Sequence, residues 1–425
     1  MALNANDRSI AGFTMAGHAL VHWFETSIPI FLVVWLAEFD VGTTLLGLIV
    51  ALGYAPFGLG ALPGGILADR YGTKRLILCC LTGMSLSFLV LSLATSIYAI
   101  AVGLILWGIA ASVYHPAGLA LISTGVEDRG TVFAWHGIAG NAGIALGPFV
   151  AATLLISLDW SLVAALLAVP GVLAVIYGLS VGFEPTAAVA DEADAGPDEA
   201  LSASELLGNT RTLFASAFAV VFVLVTFEGL YYRGTLTYLP EILHGLPAMN
   251  GLPLPAGLEG IEPADYIYVG LLVVGIGGQY AGGKLTDRVT PARGLTGIFA
   301  VLAVLALLFI PATAAGIGLV PVIVLCGVLG FFLFAIQPFY QNAVAIYTPP
   351  DARGLSYGFT YLAEFGFGAA SIALGGFVLD AFSRTAFFAL IAGFAAVGGL
   401  VAGVLLLGSG RFTETQSVAE TNADD

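Results

Sequence analysis

Charge is what this chain has least of. Only 10% of its 425 residues are Asp, Glu, Lys or Arg, where a water-soluble domain carries about 25%. With 59% of the residues apolar, so few charges cannot cover the apolar surface in water, and the expected solvent is lipid. Lysine is nearly absent: Lys74 and Lys284 are the two lysines among thirteen basic residues. The formal net charge of −15 argues against a nucleic-acid partner, whose phosphates need a basic face. The same acidic, lysine-poor balance fits a high-salt cytoplasm, with simple solvated loops as the plainer explanation. Cysteine is scarce as well. Cys79, Cys80 and Cys326 all fall in apolar runs and give neither a disulfide framework nor a metal-ligand spacing. No basic region followed by a cleavage site opens the chain, so its first apolar run is expected to be a retained span rather than a signal peptide. Phosphate loops, nucleophile elbows and paired-cysteine motifs are missing. Gly275-x-Gly277-Gly278 follows no strand and is no dinucleotide turn, and no stretch is long enough to be a soluble nucleotide-binding domain. These absences point away from an enzyme and from an ATP-driven pump, and no cofactor or resident metal is expected.

What the sequence does have is long apolar runs. A membrane span needs about 20 apolar residues, and twelve stretches qualify: about 10–36, 44–68, 74–94, 97–124, 130–156, 159–183, 212–240, 265–286, 292–314, 317–347, 354–381 and 384–408. They are too long and too continuous for the alternating strands of a β-barrel. The 55 glycines suit close approach of helices in lipid. With twelve spans, Arg8, Arg70, Lys74, Arg75, Arg129, Arg211, Lys284, Arg288, Arg293, Arg353 and Arg411 fall on one side, which is eleven of the thirteen basic residues. This bias predicts a multi-pass protein of the cell membrane with both termini in the cytoplasm. Residues 184–211 carry seven acidic residues between Glu184 and Glu205 and read as a flexible cytoplasmic linker. The expected organisation is a helical bundle over 1–183, the linker over 184–211, a second bundle over 212–410 and a polar tail over 411–425.

The two halves repeat. Phe24-Glu25 matches Phe227-Glu228 and Glu38 matches Glu241, both at an offset of 203. Asp69 matches Asp287, His115-Pro116 matches Gln337-Pro338, and Arg129-Gly130 matches Arg353-Gly354. Four charges are packed into the loop after span 2, at Asp69, Arg70, Lys74 and Arg75. The pattern Gly65, Leu67, Asp69, Arg70, Gly72, Lys74 and Arg75 resembles the signature loop of the major facilitator superfamily, which joins helices 2 and 3 on the cytoplasmic side. A second copy keeps Gly283, Leu285, Asp287, Arg288 and Arg293 and lacks the second glycine. The resemblance implies an all-α membrane fold of twelve transmembrane helices in two pseudo-symmetric six-helix bundles. It implies a secondary transporter working by alternating access on a small-molecule substrate, in which helices 1, 4, 7 and 10 line the cavity and helices 3, 6, 9 and 12 face lipid. It also implies a cytoplasmic gate in which Asp69 helps hold the closed state, with Arg129 and its repeat mate Arg353 as gate residues. Tyr114-His115-Pro116-Ala117-Gly118 and His136-Gly137 are similar to segments of exporters of the fosmidomycin-resistance kind. Gly147-Pro148 resembles part of the motif of proton-coupled exporters, although Ala151-Ala152 stands in place of its closing glycine pair; close helix packing is the plainer reading of Gly140, Gly143 and Gly147.

An ionisable side chain deep in a membrane costs about 2.5–3.5 kcal/mol on insertion scales, so each one demands a reason. Span 1 carries His18, His22 and Glu25 on one face. Spans 4 and 5 carry His115, His136 and Asn141. Span 7 carries Glu228 and Arg233, span 10 carries Gln337, Gln341 and Asn342, and span 11 carries Glu364. Spans 3, 6, 9 and 12 have no ionisable residue in their interiors, which is the partition the resemblance implies. Plain readings stand beside the functional ones. His18 can snorkel or bond a backbone carbonyl, His115 and His136 can be satisfied structural histidines, and the amides can bind helices together. Glu228 and Arg233, five residues apart, sit about 140° apart around their helix and do not pair within it. The resulting expectation is proton-coupled export by a monomeric antiporter. Glu25 and Glu228 share the coupling proton, Glu228 being the preferred carrier and His22 a relay, and Arg233 favours a substrate with a negative end. The alternatives are a symporter or facilitator for an organic anion, and, in a different class, a His/Glu-dependent intramembrane metal protein or enzyme.

Overall fold

The computed structural model describes residues 3–189, 203–249, 262–314, 318–349 and 353–421. These residues are helical almost throughout. The first half runs α1 (Ala5–Glu38), α2 (Thr43–Leu59), α3 (Ala61–Tyr71), α4 (Thr73–Ser92), α5 (Ile97–Ala111), α6 (Tyr114–Gly125), α7 (Arg129–Leu155) and α8 (Trp160–Ser180). The second half runs α9 (Ala203–Ala215), α10 (Phe218–His244), α11 (Pro263–Thr286), α12 (Pro291–Ala314), α13 (Leu319–Tyr347), α14 (Arg353–Tyr361), a π-helical turn (Leu362–Phe367), α15 (Ala370–Ala381) and α16 (Arg384–Thr421). Ten helical stretches are long and apolar enough to cross a membrane, and the bent pair α2–α3 makes eleven. The remaining expected span is α11. At 24 residues it would reach about 36 Å, but glycines, Gln279 and Lys284 thin its apolar content. Residues 190–202 of the acidic linker and 250–261 of the expected outer loop lie outside the described residues. The last part of the linker is helical in α9, which ends at Ala215 and moves the start of the seventh span to Phe218. α16 continues beyond residue 410 as far as Thr421.

Several expected spans are interrupted, and the sequence gives the reasons. The second bends by 41° between Leu59 and Ala61, just past Pro56, which withholds a backbone donor from the helix. The fourth breaks at Ser112–Val113, where Pro116 cannot donate to Ser112. The two breaks touch: a Cβ added at Gly60 would lie 2.2 Å from the Ser112 Oγ. Gly72 has φ +86°, so the tight turn between α3 and α4 needs a residue without a Cβ. The second copy of the loop lacks that glycine and turns differently, with α11 ending at Thr286 and Pro291 opening α12.

The chain divides into two compact units. One contains residues 1–200, 236–269 and 372–381; the other contains 201–235, 270–371 and 382–425. The first unit thus gathers the C-terminal part of α10 and most of α15. The Thr43 hydroxyl donates to the Gly376 carbonyl at 3.0 Å, the Thr44 amide to the Asp380 carboxylate at 3.0 Å, and the Tyr238 hydroxyl to the Ile372 carbonyl at 2.7 Å. Within this unit α1 and α7 meet backbone to backbone. A Cβ at Gly143 would lie 1.9 Å from the Ala19 carbonyl oxygen, and one at Gly147 would lie 2.3 Å from that of Trp23. The small face of span 5 is therefore a packing surface. α1 and α10 are the most enclosed spans, with 67% and 61% of their apolar windows buried, against 39% for α8 and α16. α13, which carries Gln337 and Gln341, is 44% buried, no more than α4 and α12, so enclosure sets apart α1 and α10 and not all four of the expected cavity helices.

The helix order of the first half puts the turn after α4 and the segment after α8 on opposite membrane faces. Thr95 and Thr186 are both exposed. Single cysteines at these two positions, in a chain whose own three cysteines are replaced, are expected to react with an impermeant maleimide from opposite sides. Labelling from the same side would contradict the span assignment.

Candidate functional site

In the first unit α1, α6 and α7 bring four histidines together. His18 and His136 stack with ring centroids 3.9 Å apart and planes 9° apart. His18 reaches this position because Gly140 leaves room: a Cβ there would lie 2.4 Å from the imidazole. The His18 Nδ1 donates to the His136 carbonyl oxygen at 2.7 Å, and its Nε2 lies 3.2 Å from the His22 Nε2. The His22 Nδ1 is 2.6 Å from a Glu25 carboxylate oxygen. His115, buried on α6, stands edge-on to His18 at 5.4 Å between centroids and lies 5.5 Å from His22. Tyr114 closes the group, donating to the Thr14 carbonyl and lying 3.2 Å from the His136 Nε2. Backbone is anchored as well: the Tyr54 hydroxyl donates to the Glu25 carbonyl at 2.7 Å, and the Thr26 hydroxyl reaches the Ile144 carbonyl at 3.0 Å. Glu25, His115 and His136 are buried, whereas His18 and His22 are half-buried.

The second unit holds the other polar group. Glu228, Arg233 and Glu364 are all buried. Neither carboxylate oxygen of Glu228 has a hydrogen-bond partner among the described residues, and its charged neighbours are Glu364 and Arg233. Glu364 sits in the π-helical turn, a feature frequent at functional sites, and accepts a hydrogen bond from the Tyr340 hydroxyl at 2.8 Å. The Arg233 guanidinium lies over the Phe365 ring at 4.5 Å and over the Tyr232 ring at 5.3 Å, a cation–π arrangement. α10 approaches the π-helical turn through Gly229, where a Cβ would lie 2.4 Å from the Glu364 carbonyl oxygen.

The expected pathway residues are thus placed in two clusters, His22, Glu25, His115 and His136 in one and Glu228, Arg233 and Glu364 in the other. Asn141 and Gln337 are half-buried and Gln341 is exposed. His18 bonds a backbone carbonyl, one of its plain readings, and joins the histidine cluster besides. Tyr340 was passed over by sequence reasoning, and Tyr114 was noted only within the Tyr114–Gly118 segment with no role of its own, because tyrosine alone raises no alarm in a span. The available signal was that each lies within two residues of a span proline, Pro116 and Pro338. Of the loop motif, Gly65 and Gly283 are half-buried on their helices, while Arg70, Arg75, Arg129, Asp287 and Arg288 are exposed. The Lys74 ammonium donates to the Val181 carbonyl at 2.6 Å, strapping the start of α4 to the end of α8. The side chains of Asp69 and Arg353 lie outside the described part of the structure.

The comparisons with known proteins agree with this architecture. The family model described as Major Facilitator Superfamily matches residues 14–372. Among solved structures, the chain is similar to the nucleoside transporter NupG, with a TM-score of 0.75 and 16% identity over 94% of this chain and 99% of that one. It is similar to a D-xylose-proton symporter, with a TM-score of 0.70 and 16% identity over 94% and 97%. Among curated proteins, a Na(+), Li(+), K(+)/H(+) antiporter of Planococcus maritimus is 30% identical over 160 residues, which is 36% of this chain and 37% of the antiporter. That match spans little more than a third of the relative's length.

The close approach at Gly229 generates a stability test. Because the obstructing atom is backbone, Gly229→Ala must push α10 away from the π-helical turn and is expected to cost about 1–3 kcal/mol. Gly270 has nothing within 4 Å of an added Cβ, and Gly270→Ala is expected to leave the thermal midpoint of the purified protein unchanged or raised. Equal midpoints for both variants would remove the packing constraint inferred at Glu364.

Proposed function

The chain belongs to the major facilitator superfamily of secondary transporters, and on that premise we propose that it exports a small organic solute across the cell membrane in exchange for protons, by alternating access. The observation that carries this reading is Glu228: a carboxyl group buried on α10 with neither oxygen hydrogen-bonded among the described residues. An ionised carboxylate so placed costs several kcal/mol, and the neutral acid is the form such a site tolerates. When water enters from one side, the ionised form becomes tolerable and the proton leaves. Glu364 and Arg233, of opposite charge and close by, then make that release sensitive to whatever occupies the site. Glu25, at the repeat-related position, holds a second exchangeable proton with His22. The 30%-identical segment of a relative named as a proton antiporter supports coupling to protons. The cytoplasmic placement of both termini rests on the basic-residue bias, and the gate role of Asp69, Arg129 and Arg353 rests on the signature-loop resemblance.

A second reading, transport of an organic anion, is favoured by Arg233 itself. It is buried in a span and its face packs on Phe365. Its repeat-related position, at the offset of 203, is Ile30, so only one half carries this cation.

Both readings are tested once a thermal-shift screen of antibiotics, organic acids and sugars has found a stabilising ligand. In proteoliposomes, Glu228→Gln is expected to keep ligand exchange and to lose accumulation driven by a pH gradient, with Glu25→Gln affected less. Gradient-driven accumulation that survives in the double variant would move the coupling to Glu364, His115 or His136. Arg233→Gln is expected to weaken an anionic ligand about 10- to 100-fold, the equivalent of a charged hydrogen bond worth about 1.5–3 kcal/mol, and to spare a neutral analogue. Equal weakening of both would make Arg233 structural.

A further inference from the structure

We propose that His18, His22 and His115 form a binding site for one divalent transition-metal ion of the zinc, cobalt and nickel class. One ring nitrogen of each lies within 4.8 Å of the others. The decisive contact is the 3.2 Å between the Nε2 atoms of His18 and His22. A carbonyl oxygen can only accept, so the His18 Nδ1, 2.7 Å from the His136 carbonyl, carries a hydrogen, and in the neutral ring Nε2 presents a lone pair. The His22 Nδ1 faces the Glu25 carboxylate at 2.6 Å. With that nitrogen donating, the second Nε2 presents a lone pair too. Two lone pairs so close repel each other unless something positive lies between them, either a proton or a metal ion.

The spacing of His18 and His22 suits the metal. Imidazole nitrogens bound at about 2.0–2.1 Å in a tetrahedral site lie about 3.3–3.4 Å from each other, close to the separation found here. The outward contacts are those that metal-binding histidines use, the second ring nitrogen donating to a backbone carbonyl on His18 and to a carboxylate on His22. The three nitrogens spread to 4.8 Å, wider than the roughly 4.2 Å that two ligands of one ion can span, so the His115 ring must swing inward on binding to supply the third nitrogen and leave a fourth position for water. All-nitrogen donors select borderline metals over magnesium or calcium, which prefer oxygen. Glu25 offsets part of the ion's charge, and the other titratable groups facing the site are His136 and Tyr114. The His22 side chain keeps 12% of its surface exposed.

The test uses the purified full-length protein in detergent, freed of any polyhistidine tag, and cobalt(II) as the probe. One cobalt per chain is expected to bind saturably, with a visible absorption of nitrogen-ligated cobalt that zinc abolishes. His22→Gln and His115→Gln are each expected to weaken binding by more than about tenfold, and Glu25→Gln, which removes only the outer partner of His22, by about 10- to 100-fold. His244→Gln, which disturbs the separate His244–Asp265 contact, is expected to bind cobalt as the unaltered chain does. Metal-free thermal midpoints identify any variant that fails to fold, and Glu25→Gln then substitutes for it. No saturable uptake by the unaltered chain would mean that a proton alone bridges the two histidines. Undiminished uptake by the folded variants would place the metal on surface carboxylates. Either result overturns the site, and neither bears on proton-coupled transport, because no gradient is involved.

Discussion

A carboxyl group taken out of water must be paired, hydrogen-bonded or protonated, and this constraint orders the interior of the molecule. Lipid supplies no partner, so every ionisable residue within a span is either held by another side chain or left to carry a proton. Glu25 is held by His22 at 2.6 Å and Glu364 by Tyr340 at 2.8 Å. Neither oxygen of Glu228 is hydrogen-bonded among the described residues, and its charged neighbours, Glu364 and Arg233, are of opposite sign. The repeat therefore places the same residue type at equivalent positions of α1 and α10 and gives it two different surroundings. The duplicated chain supplies the scaffold, and its halves have diverged so that Glu228 is not set as its counterpart Glu25 is.

Glycine makes these surroundings possible. Gly140 admits the His18 ring, and Gly143 and Gly147 bring α7 against the backbone of α1, so that His136 can stack on a histidine of another helix. In the second half, Gly229 brings α10 against the π-helical turn and sets Glu228 beside Glu364. In membranes, where helices gain little from burying apolar surface against each other, such close approaches replace the hydrophobic effect as the source of specificity. A sequence with 55 glycines is thus specifying where its polar side chains meet.

Much of this was legible in the residues. The charge deficit and the apolar runs point to a membrane bundle, and the paired loops at Gly65–Arg75 and Gly283–Arg293 point to the family. The confinement of His, Glu and Arg to particular spans marked eight of the residues that the two clusters contain. The breaks at Gly60 and Ser112 were not legible from apolar content, because a bent span is as apolar as a straight one; Pro56 and Pro116 carried the only signal. The His18–His22 contact was hidden for a different reason. A spacing of four places two side chains on one face, but whether their nitrogens meet depends on His136 and Glu25 fixing each ring from outside, and that is a property of the packed helices. Tyr340 was missed because its role depends on the π-helical turn, whose extra residue has no sequence signature.

The central claim is that Glu228 stands buried as a neutral acid, ready to release its proton when water arrives. Infrared spectroscopy of the purified protein at neutral pH addresses this without any knowledge of the substrate, because a protonated carboxyl absorbs apart from carboxylates and shifts little when a buried group is shielded from deuterium exchange. The account predicts a protonated-carboxyl band in the unaltered chain that is lost in Glu228→Gln. A spectrum with no such band, or one unchanged by the substitution, would contradict it.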